Sequence, residues 1–502
     1  MEAISLHKMC RILLCLLFAS YILLAGEYCN AQLAEQNEAN RPLLYKLSTS
    51  FYGSANETPF WHYANTNGKI RSGSSFNSLN AISLILPKRE NSDGFDFSAG
   101  GELISRTSNE GDTFHFQQLY GTLHFGVLEF SIGRFYETIG MNMNGLSSGS
   151  MIQSRNATPV PKISLDMTRF VEVPLTNGAV QFRARYSDGK LESERFVERP
   201  FLHQKSVYLK FNISKAEIIT GALHNVTWGG TDPERGKLPG GFRDYLRVVF
   251  VQSADPSPDS DAPLSDQLNK LGNVVAAFDL AFRYNFGKSE FLAYHQIYLE
   301  DRESLQAKNI LDGVFGLGFR RTNRKKLFSG IAYEHINTIR QDARKDYPRG
   351  RSNYYGNGIY KNGWTFHGNV LGNPLLQFDR ESGEMVNNMI VAHHVGVDGW
   401  LTDRFQYRAL ATYSRNYGVC RDLIITGRCA IDSRRPAPPN LETRPRSELR
   451  RDQYSTLLEG SYLLSENLGI RLFGSLAMDA GDFLGNDAGF MGGISWEGFL
   501  LK

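Results

Sequence analysis

Apolar and polar side chains alternate over many short segments of this chain. In one segment, four apolar residues interleave with three polar ones, in the order Val180, Gln181, Phe182, Arg183, Ala184, Arg185 and Tyr186. Residues 206–213 and 405–414 show the same pattern. Because successive side chains of a strand point to opposite faces, each segment predicts a strand with one apolar and one polar face.

Segments of this kind continue along most of the chain, with Gly, Asn and Asp between them. About 18 strands are predicted, a number within the range of bacterial outer-membrane barrels. They are 43–52, 79–86, 95–106, 113–123, 126–134, 179–187, 204–213, 215–224, 243–252, 274–285, 288–299, 313–322, 326–337, 389–400, 403–414, 453–463, 466–477 and 488–500. Residues 212–215, 285–288 and 402–403 are predicted to be the tight turns that such barrels have at their periplasmic end.

The rest of the chain is irregular over long distances. Extracellular loops or lumen inserts are predicted at 135–178, 225–242, 338–388 and 415–452. A short helix is predicted at 264–272, where Leu264, Leu268 and Leu271 fall on one face.

The N-terminus has the features of a secretory signal. Lys8 and Arg11 precede an almost wholly apolar run, residues 12–24, which is shorter than the roughly 20 residues that a membrane helix needs. Residues 29–31 resemble a small-x-small cleavage site. Residues 1–31 are therefore predicted to be a signal peptide, and residues 32–502 a barrel in the outer membrane that contacts its lipid.

The alternative fold is a soluble all-β architecture, in which the apolar faces would be buried against each other. The aromatic content, 23 Tyr, 32 Phe and 5 Trp, favours a membrane barrel because such barrels carry aromatic girdles at both interfaces. The predicted fold class is thus all-β, a transmembrane antiparallel β-barrel of about 18 strands with long extracellular loops.

Little in the composition points to catalysis. A net charge of +3 argues against a nucleic-acid partner. His393 and His394 are adjacent on a predicted strand, so their side chains face opposite ways and do not chelate one metal. There is no Gly-x-Ser-x-Gly elbow, Walker loop or zincin motif. Neither an enzymatic activity nor a cofactor or metal is predicted.

Six basic side chains are predicted to face the lumen: Arg183, Arg185, Arg283, Arg320, Arg408 and Arg471. Asp279, Glu334 and Glu459 are their predicted acidic counterparts. One interpretation is a self-neutralising polar network. The other is attraction of an anionic solute or polymer, since guanidinium groups pair well with carboxylate and phosphate.

Aromatic and amide residues are concentrated in the predicted loops. Sugar rings stack on aromatic planes, and their hydroxyls need polar partners. The predicted carbohydrate-binding residues are Trp61, Trp228, Asp232, Tyr354, Tyr355 and Trp364. The alternative is that these are ordinary loop residues and that the tryptophans anchor the barrel at the membrane interface.

Several short motifs in these regions resemble a known family. In chain order they are Thr58-Pro59-Phe60-Trp61, Ala64-Asn65, Gly68, Gly133-Arg134-Phe135-Tyr136-Glu137, Gly140, Trp228-Gly229-Gly230-Thr231-Asp232-Pro233, Leu238-Pro239, Asp244-Tyr245, Arg247, Tyr294-His295-Gln296, Tyr354-Tyr355, Gly363-Trp364 and Gly372-Asn373-Pro374-Leu375. Their order and spread resemble the Wzi-like capsule-assembly family of outer-membrane barrels, in its Bacteroidetes-type form.

The resemblance implies an 18-stranded barrel that binds exported polysaccharide and helps hold it at the cell surface. The expected partners are surface polysaccharide, outer-membrane lipid and the capsule export machinery. The alternative function is a porin for small or anionic solutes, which ion conductance in planar bilayers would reveal.

Cys420 and Cys429 are the two cysteines outside the predicted signal peptide. They lie in an irregular segment of an exported chain, so we predict that they form a disulfide in an exposed loop. Mass spectrometry of non-reduced peptides from intact cells should show the linked pair. Two thiols that alkylate without reduction would contradict it.

Overall fold

The structure, a computed structural model, describes residues 41–89, 94–257, 260–300, 309–322, 325–341, 352–419, 421–423, 428–430 and 443–500. The predicted signal peptide and Cys420 fall outside these ranges, so the cleavage site and the disulfide both stay predictions. Among the described residues, no helix has the length and apolar character needed to cross a bilayer.

Antiparallel strands form one sheet that closes on itself. The sheet has 19 hydrogen-bonded segments, of which Val171–Glu172 is a two-residue continuation of the sixth strand, so that 18 strands make the wall. They are β1 Leu44–Ser54, β2 Phe76–Leu86, β3 Phe95–Ser108, β4 Thr113–Phe125, β5 Leu128–Arg134, β6 Lys162–Met167, β7 Val180–Lys190, β8 Phe201–Ile213, β9 Ala216–Trp228, β10 Asn273–Phe286, β11 Ser289–Leu299, β12 Gly313–Arg321, β13 Gly330–Asn337, β14 Ile390–Trp400, β15 Phe405–Asn416, β16 Arg451–Ser465, β17 Ile470–Gly481 and β18 Asp487–Phe499.

The first and last strands close the barrel. β1 pairs with β18 from Leu44 opposite Phe499 to Ser54 opposite Gly489. Closure leaves no sheet edge, and in lipid an edge would expose backbone groups with no hydrogen-bond partner. The predicted 18-stranded antiparallel barrel is confirmed.

Smaller elements lie in the connections. The helices are α1 Phe60–Tyr63, α2 Phe242–Val249, α3 Leu264–Leu268 and α4 Arg446–Leu449. The short strands are Thr231–Asp232 with Gly236–Lys237, Thr365–Phe366 with Asn369–Val370, Gln377–Asp379 with Glu384–Asn387, and the set Arg421–Leu423, Arg428–Ala430 and Thr443–Pro445.

Two strand predictions differ from the structure, and they offset each other in the count. Residues 243–252 were predicted as a strand but contain α2, because Tyr245 and Val248, three residues apart, pack together against the wall. β6 was missed inside a stretch predicted to be irregular, since its alternation extends over only six residues.

The connections show which way the barrel points. Those at one end are short, such as 214–215, 287–288 and 401–404, whereas those at the other include 135–161 and 229–272. Bacterial barrels have short periplasmic turns and longer extracellular loops. The end with the long loops is therefore extracellular, so β1 begins and β18 ends at the periplasmic end.

The two faces of the wall differ as the alternation predicts, with one exception. Large apolar side chains such as Phe116, Phe130 and Leu476 are exposed on the outer face, where lipid covers them. The inner face, predicted to be polar, also carries buried apolar residues such as Ile219 and Leu292. These pack against chain that fills the barrel.

Adjacent positions on β7 test the register of the wall. Phe182 lies on the outer face, and Arg183 on the inner face donates through Nε to the Met167 carbonyl at 2.8 Å. Phe182→Lys places a charge in lipid and should lower the free energy of unfolding by up to about 2–4 kcal/mol, according to its depth. Arg183→Gln should leave it nearly unchanged. Urea unfolding in lipid vesicles measures both, and equal losses would contradict the register.

Candidate functional site

The connection between β5 and β6, residues 135–161, folds into the barrel and is here called the plug. Its apolar side chains Ile139, Met143, Leu146 and Ile152 are all at most 5 % exposed. They belong to one hydrophobic cluster together with inward side chains of the wall. The barrel therefore contains a packed core rather than an open polar channel at this level.

Two wall carboxylates bind the backbone of the plug. Asp279 on β10 accepts a hydrogen bond from the Met141 amide at 2.8 Å. Glu334 on β13 accepts one from the Ser148 amide at 2.7 Å and one from the Ser147 hydroxyl at 2.6 Å. Both carboxylates are buried, and buried groups of this kind are costly unless hydrogen-bonded. Plug and wall thus satisfy each other's polar groups.

Neutral side chains of the wall add to this contact. The Gln296 side-chain oxygen on β11 accepts a hydrogen bond from the Met151 amide at 2.5 Å. The His394 Nε2 on β14 lies 2.9 Å from the Leu146 carbonyl, to which it donates. His393, the next residue back, faces outward, with its ring centroid 4.9 Å from that of His335. The two adjacent histidines therefore lie on opposite faces and cannot share a metal.

Glycines of the wall make room for the plug. A Cβ atom on Gly318 would lie 2.5 Å from the side chain of Met143. A Cβ atom on Gly396 would lie 2.3 Å from the Leu146 carbonyl oxygen. Such distances are well below van der Waals contact, so only glycine permits this approach of plug and wall.

The structure places all six predicted lumen arginines on the inner face: Arg183, Arg185, Arg283, Arg320, Arg408 and Arg471. Most are engaged within the protein. Arg185 pairs with Glu137 of the plug, Arg283 with Glu217, and Arg408 with Glu459 at 2.7 Å. This arrangement favours the interpretation of a self-neutralising network.

The carboxyl group of Glu137 shows how this network of ion pairs keeps a buried group ionised. Burial alone would raise the pKa of this plug carboxyl, but the cations of Arg185 and Lys162 lower that pKa to about 2. The group is therefore ionised at any physiological pH, and it ties the plug to β6 and β7.

Three predicted carbohydrate-binding rings, Tyr354, Tyr355 and Trp364, are 0 % exposed. The Tyr355 hydroxyl donates to the Met151 carbonyl at 2.6 Å, and the Trp364 Nε1 donates to the Ile152 carbonyl at 2.7 Å. The expectation that these rings stand free in their loops is wrong, because the loop 352–389 lies over the plug and packs its aromatic side chains onto it.

The other three predicted carbohydrate-binding residues are also covered. Trp61 on α1 is 4 % exposed inside the lumen, with its Nε1 3.2 Å from the Thr412 hydroxyl. Trp228 faces outward from β9 but lies beneath α2. Asp232 accepts hydrogen bonds from the Glu234 and Arg235 amides and shapes a turn.

A small cavity remains inside the barrel. Its volume is about 120 Å³, and its lining includes Trp61, Asn142, Arg155, Arg408 and Glu459. Arg408 and Glu459 lie toward the periplasmic ends of β15 and β16, so the cavity is on the periplasmic side of the plug. Trp61 is the one predicted carbohydrate-binding residue that borders it.

At the extracellular end, basic side chains gather around the outer surface of the plug. This set, here called the mouth cluster, consists of Arg71, Arg106, Arg134, Arg380, His115 and His367. The charges of Arg71 and Arg380 act on Arg106, and those of Arg106, Arg134 and His367 act on His115. The cluster therefore brings together four guanidinium groups.

The mouth cluster is partly neutralised and partly open. Arg71 pairs with Glu110 at 3.3 Å, and both side chains are about one third exposed, at 31 % and 32 %. Arg106 is buried and donates to the Lys69 carbonyl at 3.1 Å. Arg380 is exposed and donates to the Asn369 side-chain oxygen at 2.8 Å. Arg71 and Arg380 are thus the members best placed to meet an external anion.

Comparison with known proteins assigns the family. Residues 52–390 match the family described as capsule assembly protein Wzi. The chain belongs to this family. The match extends over more than half of the sequence, confirms the resemblance seen in its motifs, and places the barrel in the outer membrane. None of the curated proteins is detectably similar to the chain.

Several solved structures are similar to the chain, and the first of them shows the same fold. Wzi of Escherichia coli, described as a carbohydrate-binding β-barrel involved in group 1 capsule assembly, is 16 % identical, with a TM-score of 0.53 over 89 % of this chain and 83 % of that one. OccAB4 of Acinetobacter baumannii is 8 % identical, with a TM-score of 0.44 over 92 % and 100 %. OpdL of Pseudomonas aeruginosa is 7 % identical, with a TM-score of 0.44 over 91 % and 99 %.

Gly396 gives a direct test of the plug. Gly396→Val should push Leu146 away from β14, because overpacking of this kind costs roughly 1–3 kcal/mol. Trypsin should then cleave at Arg155 in the folded barrel faster than in the unaltered protein. Gly492→Val is the matched control, since a Cβ atom there meets nothing within 4 Å. Unchanged cleavage in the Gly396 variant would contradict the contact.

Proposed function

We propose that this protein is a non-enzymatic outer-membrane barrel that binds surface polysaccharide, above all acidic polymer, and helps to attach it to the cell. The observation that carries the proposal is a plugged barrel with a basic cluster at its extracellular end. Membership of the capsule assembly protein Wzi family supports the class of ligand.

The plug favours a binding protein over a porin. A porin needs a continuous water-filled path, whereas here Ile139, Met143 and Leu146 pack in the lumen against inward side chains of the wall. The loop 352–389 then covers the plug with buried aromatic side chains. Of the six lumenal arginines, Arg185, Arg283 and Arg408 pair with internal carboxylates, and Arg183 and Arg320 donate to backbone carbonyls, so most are already engaged within the protein.

The mouth cluster suits a chain of acidic sugars. A guanidinium group offers several N–H donors in one plane and binds a carboxylate through two of them. Arg380 projects from a hairpin. Arg71 pairs with Glu110, but both side chains are still about one third exposed to solvent. A polymer repeats its carboxylates, so weak single contacts can add up through avidity.

Binding at the mouth also explains why the predicted rings are buried. Tyr354, Tyr355 and Trp364 hold the loop 352–389 on the plug, and that loop carries Arg380 and His367. In this proposal the aromatic residues position the binding surface, and the polar side chains at its rim contact the polymer. The capsule export machinery remains a predicted partner.

Two charge-neutralising variants test the proposal. The double variant Arg71→Gln/Arg380→Gln removes one exposed and one partly exposed guanidinium group of the mouth cluster. Its affinity for an acidic polysaccharide should fall at least about tenfold, since a hydrogen bond to a charged group contributes roughly 1.5–3 kcal/mol. Affinity for a neutral polysaccharide should change little. Binding of the purified barrel to immobilised polymer measures both.

The matched control is Arg199→Gln/Lys237→Gln, which removes the same charge from exposed extracellular positions outside the cluster. Its affinity should stay close to that of the unaltered protein. Heat-modifiable gel mobility verifies that every variant is folded. The proposal fails if the mouth variant binds acidic polymer normally, or if the control loses as much affinity as the mouth variant.

A further inference from the structure

The connection between β9 and β10, residues 229–272, is here called the wall insertion, and its Val248, Ala254, Ala262 and Leu271 pack against the outer wall of the barrel. Its helix α2 places Tyr245 beside outward-facing side chains of the strands. The Tyr245 ring is 5.8 Å from that of Trp228 and 6.1 Å from that of His203. His203 faces outward, because the neighbouring Gln204 faces inward and binds Gln153 of the plug. Trp228 also faces outward, because Asn225, three residues before it on β9, faces inward and accepts a hydrogen bond from Gln204.

The wall insertion covers a polar patch on the outer face. The His203 Nδ1 lies 2.8 Å from the Asp188 carboxylate, which also accepts a hydrogen bond from the Tyr245 hydroxyl at 2.8 Å. Lys205 donates to the carbonyl of Val249 at the end of α2. Without this cover, charged groups would face the surroundings of the barrel on a side that is otherwise apolar.

The contact of Lys205 fixes the height of α2 on the wall. The next outward positions on β8 are Val207, 47 % exposed, and Leu209, 38 % exposed. These side chains belong to the lipid-facing apolar band of the barrel. The C-terminal end of α2 therefore lies directly at the extracellular edge of that band.

The wall insertion also presents an apolar surface of its own. Phe242, Leu246 and Phe250 are four residues apart, so they share one side of α2. They are 74 %, 38 % and 67 % exposed. Leu264 and Leu268 of α3 are 67 % and 74 % exposed. Exposed apolar surface of this extent marks an interaction site.

We propose that the wall insertion is a membrane-interface anchor, whose five exposed apolar side chains enter the acyl-chain region of the outer leaflet. The position of this apolar surface identifies lipid as its partner, because the surface continues the lipid-facing band of the barrel at the extracellular edge of that band. The composition of α2 is that of an interfacial helix, with an apolar side next to the basic residues Arg243 and Arg247. Arg243 is exposed and can meet a lipid phosphate, whereas Arg247 pairs with Asp244 and Asp255.

This inference is independent of polysaccharide binding, since the mouth cluster does not include any residue of the wall insertion. The anchor also explains the polar patch on the outer face. The extracellular ends of β7 to β9 carry charged side chains at the edge of the lipid, and the wall insertion covers these side chains and presents an apolar surface in their place.

Site-specific fluorescence quenching tests the anchor. A single cysteine replaces Leu246 in a Cys420→Ala/Cys429→Ala background, carries an environment-sensitive fluorophore, and is reconstituted in bilayers whose lipids bear bromine on the acyl chain. Val207→Cys on the lipid-facing wall is the positive control, and Ser193→Cys in an exposed extracellular loop is the negative control. Quenching at position 246 should come within about twofold of that at 207, as expected for an interfacial helix.

Quenching at position 246 as weak as that at 193 would overturn the proposal. A second copy of the chain is the competing occupant, and it makes a different prediction. The barrel would then be a dimer in detergent, and Phe242→Ser/Leu246→Ser/Phe250→Ser would make it monomeric. Sedimentation of both proteins in detergent measures this, and a dimer lost in that variant would likewise overturn the membrane anchor.

Discussion

The interior of this barrel depends on hydrogen bonds between wall carboxylates and the backbone of the plug. A chain segment inside a closed wall has amides that water reaches poorly, and each must find a partner or cost free energy. Asp279 on β10 and Glu334 on β13, three strands apart in the wall, provide such partners. With the plug fixed, the loop 352–389 can pack its aromatic side chains onto it. This packing holds in place the two members of the mouth cluster that the loop carries, His367 and Arg380. The self-neutralised arginines and the closed lumen follow from the same arrangement.

The wall could be predicted from the sequence because its signal is local. Alternation with a period of two identifies each strand and its faces, so the inward placement of Arg185, Arg283 and Arg408 needed no tertiary information. The errors occurred where that signal is weak or imitated. β6 is only six residues long, and a run of β-branched and aromatic residues that spans the end of α2, residues 248–251, resembles a strand. Its helical conformation is stabilised by tertiary contacts of Tyr245 and Val248.

The candidate site could not be predicted in the same way, because burial of a loop is a tertiary property. The glycine, asparagine and tyrosine residues at 354–364 are compatible both with a loop that extends into solvent and with a loop that folds onto a plug, so the local sequence does not distinguish the two. Tyr355 and Trp364 donate to carbonyls more than 200 residues away in the chain. The mouth cluster draws on the connections after β1 and β13 and on the ends of β3, β4 and β5. No single window of sequence contains two of its loop arginines together.

The fit of plug and wall also has a consequence for the order of assembly. The plug contacts strands 138 and 187 residues further along the chain, at Asp279 and Glu334, while the pairing of β1 with β18 completes the wall last in sequence. The wall glycines that receive Met143 and Leu146, Gly318 and Gly396, also lie later in the chain than the plug. The plug can therefore dock only after these later strands have joined the sheet, and the time needed to bring such distant segments together becomes part of the folding barrier.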